Sequence, residues 1–253
     1  MLIDTHCHVA DPEFDADRAE VLQRAAEAGV ERLVSVGCDL PSSRRAIALA
    51  EGLPQVYATA GVHPHEVQKT TDEALRQLRS FCDHPKVVAY GEIGLDFHYD
   101  HSPRPVQHRR FTDQISIALE LSLPLIIHTR NAWNETFKVL EEAGGLKLKG
   151  VFHCFTGGPA EAERALELGF FISFSGIVTF PRADSIQAAA RMIPLNRILI
   201  ETDSPYLAPQ GLRGRRNEPA YLIHIANFLA ELRGCSYNEF AQATSENATE
   251  LFF

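Results

Sequence analysis

Short runs of apolar and β-branched residues recur from one end of the chain to the other, separated by longer segments with helical spacing. The runs at Leu2–His6, Arg32–Val36, Val56–Ala60 and Val87–Gly91 read as strands. So do Leu125–His128, Val151–Cys154, Phe170–Phe174 and Arg197–Glu201. Between them, the spacing of Phe111, Ile115 and Ala118 marks a helix, and Leu22, Ala25 and Ala28 repeat it more weakly. Gly29, Gly52, Gly144 and Gly169 follow helical runs, where glycine commonly supplies a left-handed C-terminal cap. Strand follows strand at intervals of about 30 residues, the length a βα unit requires. Two further helices, around Tyr221–Leu232 and Tyr237–Leu251, finish the chain.

Eight strands, each followed by a helix, predict an α/β fold: a closed (β/α)8 TIM barrel with additional C-terminal helices. An open doubly wound sheet is the alternative, and would normally place a Gly-x-Gly-x-x-Gly turn after its first strand. This chain has His6-Cys7-His8 there. No linker, charge block or low-complexity tract interrupts the rhythm, so residues 1–253 are read as one domain.

Composition narrows the class. At 253 residues and 45% hydrophobic the chain can bury a sizeable core without disulfides or structural metal. Its five cysteines are dispersed with no Cys-x-x-Cys spacing, against a disulfide framework or a thiolate zinc site. No basic leader and no apolar run of about 20 residues is present, so a cytoplasmic protein that does not enter membranes is expected. The formal charge of -9 excludes binding nucleic acid by a general basic surface and leaves only a local patch for that task. The 11 histidines are the unusual feature.

Their placement carries the chemistry. His6 and His8 stand two apart at the end of the first strand, so both imidazoles leave one face. His63 follows the third strand, Glu92 the fourth and His128 the fifth, while His153 lies in the sixth and Asp203 follows the eighth. The C-terminal ends of barrel strands form the mouth where barrel chemistry occurs. Any one of these histidines could be an independently satisfied strand-end residue; six strands contributing in concert argue otherwise. Imidazole with carboxylate suits zinc, manganese, nickel or iron better than calcium. Four histidines and two acids exceed the needs of one tetrahedral ion and suit two ions sharing a bridging carboxylate and water. Asp4 and Glu201 are expected to lie deeper and orient ligands or pair with buried cations. His65, His84, His98, His101, His108 and His224 have no matching partner in the pattern and are expected at the surface or behind the ligands.

For substrate, Arg213, Arg215 and Arg216 follow the eighth strand, with Asn217 next to them, and form a local positive field suited to phosphate. A solvated basic loop is the alternative. Tyr206, Phe97, Tyr99, Phe155 and Phe180 fall near the expected mouth loops and could stack bases or simply pack.

At these residues the sequence resembles the TatD family of metal-dependent deoxyribonucleases, within the amidohydrolase superfamily. The matching pieces are Asp4-Thr5-His6-Cys7-His8, Gly61-Val62-His63-Pro64, Gly91-Glu92-Ile93-Gly94-Leu95-Asp96 and Leu125-Ile126-Ile127-His128-Thr129-Arg130. They continue with His153-Cys154-Phe155-Thr156-Gly157, Glu201-Thr202-Asp203-Ser204-Pro205-Tyr206-Leu207 and Arg215-Arg216-Asn217-Glu218-Pro219, spanning nearly the whole chain in order. By that resemblance one metal would take His6, His8 and Asp203, the other His128 and His153, with Glu92 bridging. Asp203 would also accept the proton of the attacking water, His63 would face the scissile phosphate, and Arg130 with the arginine loop would hold the backbone. The resemblance implies phosphodiester hydrolysis, with exonucleolytic DNA cleavage and magnesium dependence in some members. A cleft with few cationic contacts in a chain of charge -9 would grip a few nucleotides near an end, so a 3′-5′ exodeoxyribonuclease acting on single-stranded ends is expected. The ligand chemistry alone favours zinc or manganese. The rival readings are hydrolysis of a small ester, amide or phosphoester on the same barrel, and a metal- or nucleic-acid-binding protein with a degenerate site. In related amidohydrolases a modified lysine often bridges the metals, whereas Glu92 occupies that place here. The sequence leaves the oligomeric state open.

Overall fold

A computed structural model describes residues 1–253. Its single parallel sheet runs in strict chain order, from β1 (Leu2–Cys7) and β2 (Val30–Ser35) through β3 (Val56–Ala60) and β4 (Val87–Asp96). It continues with β5 (Leu125–Arg130), β6 (Gly150–Phe152), β7 (Phe171–Phe174) and β8 (Ile198–Ile200). The loop after β8 closes back on β1, where Asp203 N–H donates to His6 C=O at 2.9 Å and His8 N–H to Ser204 C=O at 2.7 Å. This is the (β/α)8 barrel.

Eight helices form the outer layer: α1 (Arg18–Glu27), α2 (Leu40–Gly52), α3 (Asp72–Phe81), α4 (Arg104–Leu121), α5 (Trp133–Ala143), α6 (Pro159–Glu167), α7 (Asp184–Met192) and α8 (Leu222–Arg233). Their starts follow capping chemistry. Asp39 accepts from Ser42 N–H at 2.8 Å ahead of α2, and Thr71 from Ala74 N–H at 3.1 Å ahead of α3. Of the two helices expected to be additional, α8 completes the eighth unit and only α9 (Tyr237–Phe252) is extra.

The barrel interior is filled by Ile3, Val34, Ala89, Ile126, Val151, Phe171 and Leu199, which cluster with Ala248 and Phe252 of α9. Asn247 of α9 donates to the Leu195 and Ile198 carbonyls, and Ser245 to that of Met1. Thus α9 seals the end where strands begin. The other end is left open as the mouth.

Two local expectations are corrected. Gly29 and Gly169 are left-handed caps, with φ of 82° and 79°, but Gly52 is the last residue of its helix and Gly144 is extended. The second correction matters for the site. Strand β4 does not stop at Gly91 but pairs with β5 as far as Asp96 opposite Arg130. A Cβ at Gly94, whose φ is 147°, would overlap the His128 carbonyl, so glycine there lets the two strands pass at close range. Glu92 therefore lies inside a strand, buried, instead of at its end. His63 and Asp203 each stand three residues beyond their strands, and His153 directly follows β6.

Candidate active site

The mouth is a cavity of about 980 Å³ reached by side chains from all eight units. Backbone geometry is unusual around it: Asn131, Cys154, Asp203 and Leu207 all line it with φ between 43° and 57°. Such left-handed backbone costs roughly 1–3 kcal/mol for a non-glycine residue and concentrates at functional sites.

Glu92 is the centre of the constellation. Its Oε2 lies 3.5 Å from His6 Nε2, which in turn is 3.3 Å from His8 Nε2 and 3.7 Å from Asp203 Oδ1. Asp203 Oδ1 is also 3.3 Å from His8 Nε2. On the other side, Glu92 Oε1 lies 2.7 Å from His153 Nε2 and 2.8 Å from His128 Nδ1, and these two nitrogens are 3.4 Å apart. His63 Nε2 joins this second group, 3.3 Å from His128 Nδ1 and 3.4 Å from Glu92 Oε1. All six expected metal ligands thus come together, with His63 beside them. The donors converge within ligand-to-ligand distances of one another, and they are imidazole nitrogens and carboxylate oxygens. That chemistry fits divalent transition metals.

Electrostatics fit the same picture. Burial alone would raise the Glu92 carboxyl, but His153, His63 and the hydrogen bond from His128 outweigh it and hold it well below the carboxylate range. Burial drives His63 down to about 4, so its imidazole is neutral at physiological pH and free to donate a lone pair.

A supporting layer fixes the ligands. Glu201 Oε1 sits 3.2 Å from His153 Nδ1 and accepts from Cys154 N–H at 2.6 Å. Asp4, expected to orient a ligand or pair with a cation, accepts from the Thr202 amide and hydroxyl at 3.0 and 2.6 Å and so anchors the loop carrying Asp203. Its carboxyl is pushed up to about 7 by burial.

Sequence reasoning missed Asp96, and with it the place of His65, expected only at the surface or behind the ligands. Asp96 Oδ2 lies 3.2 Å from His128 Nε2 and 2.9 Å from His65 Nε2, leaving His128 Nδ1 to face the centre. The signals were there: Asp96 is four residues past Glu92 on one strand, and His63-Pro64-His65 repeats the spacing of His6-Cys7-His8. Reading β4 as ending at Gly91 hid the first. We expect Asp96→Asn to weaken metal binding about 10- to 100-fold by loosening His128. Chelator competition measures this, and wild-type affinity would show that His128 needs no such support.

The expected substrate contacts divide. Arg130 lines the cavity with its guanidinium 4.7 Å over the Tyr99 ring. Arg213, Arg215 and Arg216 do not line it. Arg216 pairs with Asp17 at 2.5 Å over the Phe14 ring, Arg213 lies over Phe180, and Arg215 is exposed. Asn217 is corrected from substrate contact to loop anchor: it is fully buried, and its amide donates to the Thr202 and Tyr206 carbonyls. Of the five aromatics, Tyr99 and Tyr206 line the cavity. Phe155 is buried against Trp133, while Phe97 and Phe180 pack partly buried on the core.

Residues 3–253 match the family described as TatD related DNase. The chain is 42% identical over 252 residues to a Bacillus subtilis protein described as an uncharacterized metal-dependent hydrolase, YabD, covering 100% of this chain and 99% of that one. It is 38% identical to the 3′-5′ ssDNA/RNA exonuclease TatD of Cronobacter turicensis, over 99% of this chain and 97% of that protein. The crystal structure of YJJV, a TatD homologue from Escherichia coli K12, superposes with a TM-score of 0.94 at 35% identity, covering 99% and 97% of the two chains. No helix of the structure is long and apolar enough to cross a membrane. With match, fold and donor sets extending over the full chain, this protein belongs to the TatD-related DNase family and is a metal-dependent hydrolase.

Proposed function

We propose that the protein is a 3′-5′ exodeoxyribonuclease that trims single-stranded DNA ends through a dinuclear divalent-metal centre. The observation that carries the reading is Glu92, whose two oxygens face separate donor groups, His6 on one side and His128 with His153 on the other. In this reading His6, His8 and Asp203 would hold one ion and His128 and His153 the other, with Glu92 as the ligand shared between them. Zinc, manganese and magnesium are the candidates. When bound, such a pair lowers the pKa of the attacking water towards about 7 and offsets charge on the phosphoryl oxygens.

The chain's own residues do the rest. The Asp203 carboxylate accepts the proton that the attacking water gives up, and its backbone is fixed by the bond from its own N–H to the His6 carbonyl. His63, neutral and at the edge of the second group, faces the scissile phosphate and lends a lone pair or a hydrogen bond instead of a charge. Arg130 supplies positive charge on the β5 side of the mouth. The relative described as a 3′-5′ ssDNA/RNA exonuclease supports both the substrate class and the polarity.

The test uses an end-labelled single strand, the same strand circularised, and a blunt duplex, with metal-depleted protein reloaded with each ion. We expect mononucleotides from the 3′ end of the linear strand and an intact circle. The rate should fall with salt by about 0.7 log units per log unit for each phosphate contact. Cleavage of the circle would exclude an exonuclease. Salt-independent action, or preference for a small neutral ester, would move the assignment to an uncharged substrate.

A further inference from the structure

With Arg213, Arg215 and Arg216 directed elsewhere, the mouth needs another source of positive charge for a polyanion. Only two of the residues lining the cavity are lysine or arginine: Arg130 and Arg45. Arg45 stands in α2, in the second of the eight units, and no sequence motif singles it out. Whereas Arg216 is tied to Asp17, Arg45 makes no ion pair and is exposed into the mouth. The cavity wall also carries Asp11, Glu66, Glu92 and Asp203, so an unpaired cation there faces a predominantly acidic surface.

The second observation is Tyr206. Large apolar side chains are normally covered, yet Tyr206 is 51% exposed at the cavity wall. Its ring stands edge-on to His8 at 6.0 Å. Its backbone is held, because its carbonyl accepts from buried Asn217 at 2.5 Å and its N–H donates to the Asp203 carbonyl at 2.9 Å. A fixed backbone presenting an open ring is a stacking platform, and base stacking on such rings is sequence-tolerant. In the order of the units around the barrel, Tyr206 and Arg45 lie on either side of the His6–His8 strand. Tyr99, 50% exposed, and Arg130 lie together beyond Glu92, in the fourth and fifth units.

We infer that the mouth is a two-nucleotide track. One nucleotide stacks at Tyr206 with its phosphate at Arg45, the next lies at Tyr99 and Arg130, and the phosphodiester between them sits over Glu92. The inference rests on the nuclease reading above and adds what holds the strand. It also fits a single strand better than a duplex, because about 980 Å³ is near the upper limit of ordinary ligand pockets and far below what a duplex occupies. Arg45 and Tyr206 are binding residues in this arrangement; the chemistry stays with Asp203 and the ligand set.

The experiment compares Arg45→Ala and Tyr206→Ala with Arg215→Ala on oligothymidylates of two to eight nucleotides. A small phosphodiester, bis(4-nitrophenyl) phosphate, is assayed alongside. Arg215→Ala removes the same charge as Arg45→Ala from an exposed position outside the cavity, so net charge is matched. We expect KM for the oligonucleotides to rise about tenfold in Arg45→Ala and in Tyr206→Ala, with kcat within about twofold. The salt slope should drop by about 0.7 in Arg45→Ala alone. Arg215→Ala should match the wild type. Wild-type kcat/KM should climb to about three nucleotides and then level off, since a short track makes no contacts further along. Equal KM in Arg45→Ala, Tyr206→Ala and Arg215→Ala would overturn the track, as would kcat/KM rising steadily to eight nucleotides. A wild-type protein that cleaves the small diester but no oligonucleotide would instead overturn the nuclease reading itself.

Discussion

Replacing Glu92 by alanine is expected to empty both halves of the centre together. The carboxylate is buried, and its two oxygens face the two sets of imidazoles, Oε2 towards His6 and Oε1 towards His128 and His153. Without it the histidines lose the negative charge between them, and a bound cation loses the carboxylate that both sets share. Even a residue that merely supports a ligand changes metal affinity about 10- to 100-fold, so loss of a shared ligand should exceed about 100-fold. Elemental analysis after desalting reads this directly. A thermal melt gives an independent measure, because bound metal at about 1,000 times its Kd adds about 4 kcal/mol of stability. The melting difference between metal-loaded and metal-depleted protein should therefore be large in the wild type and vanish in Glu92→Ala. Glu92→Gln, which preserves volume, separates loss of charge from loss of packing. Unchanged stoichiometry in Glu92→Ala would remove Glu92 from the bridging role.

Asp203→Asn should lose most turnover while keeping the shape of the mouth. The backbone bonds that place residue 203 involve its N–H and carbonyl, which survive the substitution. The amide oxygen can still reach towards His8, so metal in that half is weakened more than abolished. What disappears is a carboxylate able to take a proton. Removing a general base typically costs about 10²–10⁴ in rate, and the weakened ligand adds to that. Measured kcat at saturating metal isolates the first loss, and metal content the second. Near-normal turnover at full occupancy would contradict the assignment of Asp203 as the proton acceptor.

Strand and helix periodicity, the interval of about 30 residues and the polar residues following each apolar run were all legible along the chain. They led to the barrel and to His6, His8, Glu92, His128, His153 and Asp203, because a barrel turns strand ends into neighbours whatever their separation in sequence. Strand β4 was read short for a physical reason. Gly91 and Gly94 look like punctuation, yet here glycine allows close strand approach and lets pairing continue to Asp96. The supporting layer and the cation inventory were not legible. Arg213, Arg215 and Arg216 form a basic run in sequence, but the ion pair with Asp17 and packing on Phe14 and Phe180 direct two of them away from the cavity. Arg45, in no motif, lines the cavity because of where α2 docks. Sequence by itself determined which residues could carry metal chemistry, since strand-end position is a local property of the pattern. Only the tertiary structure decided which charges face the substrate, since that depends on side-chain partners contributed from distant parts of the chain.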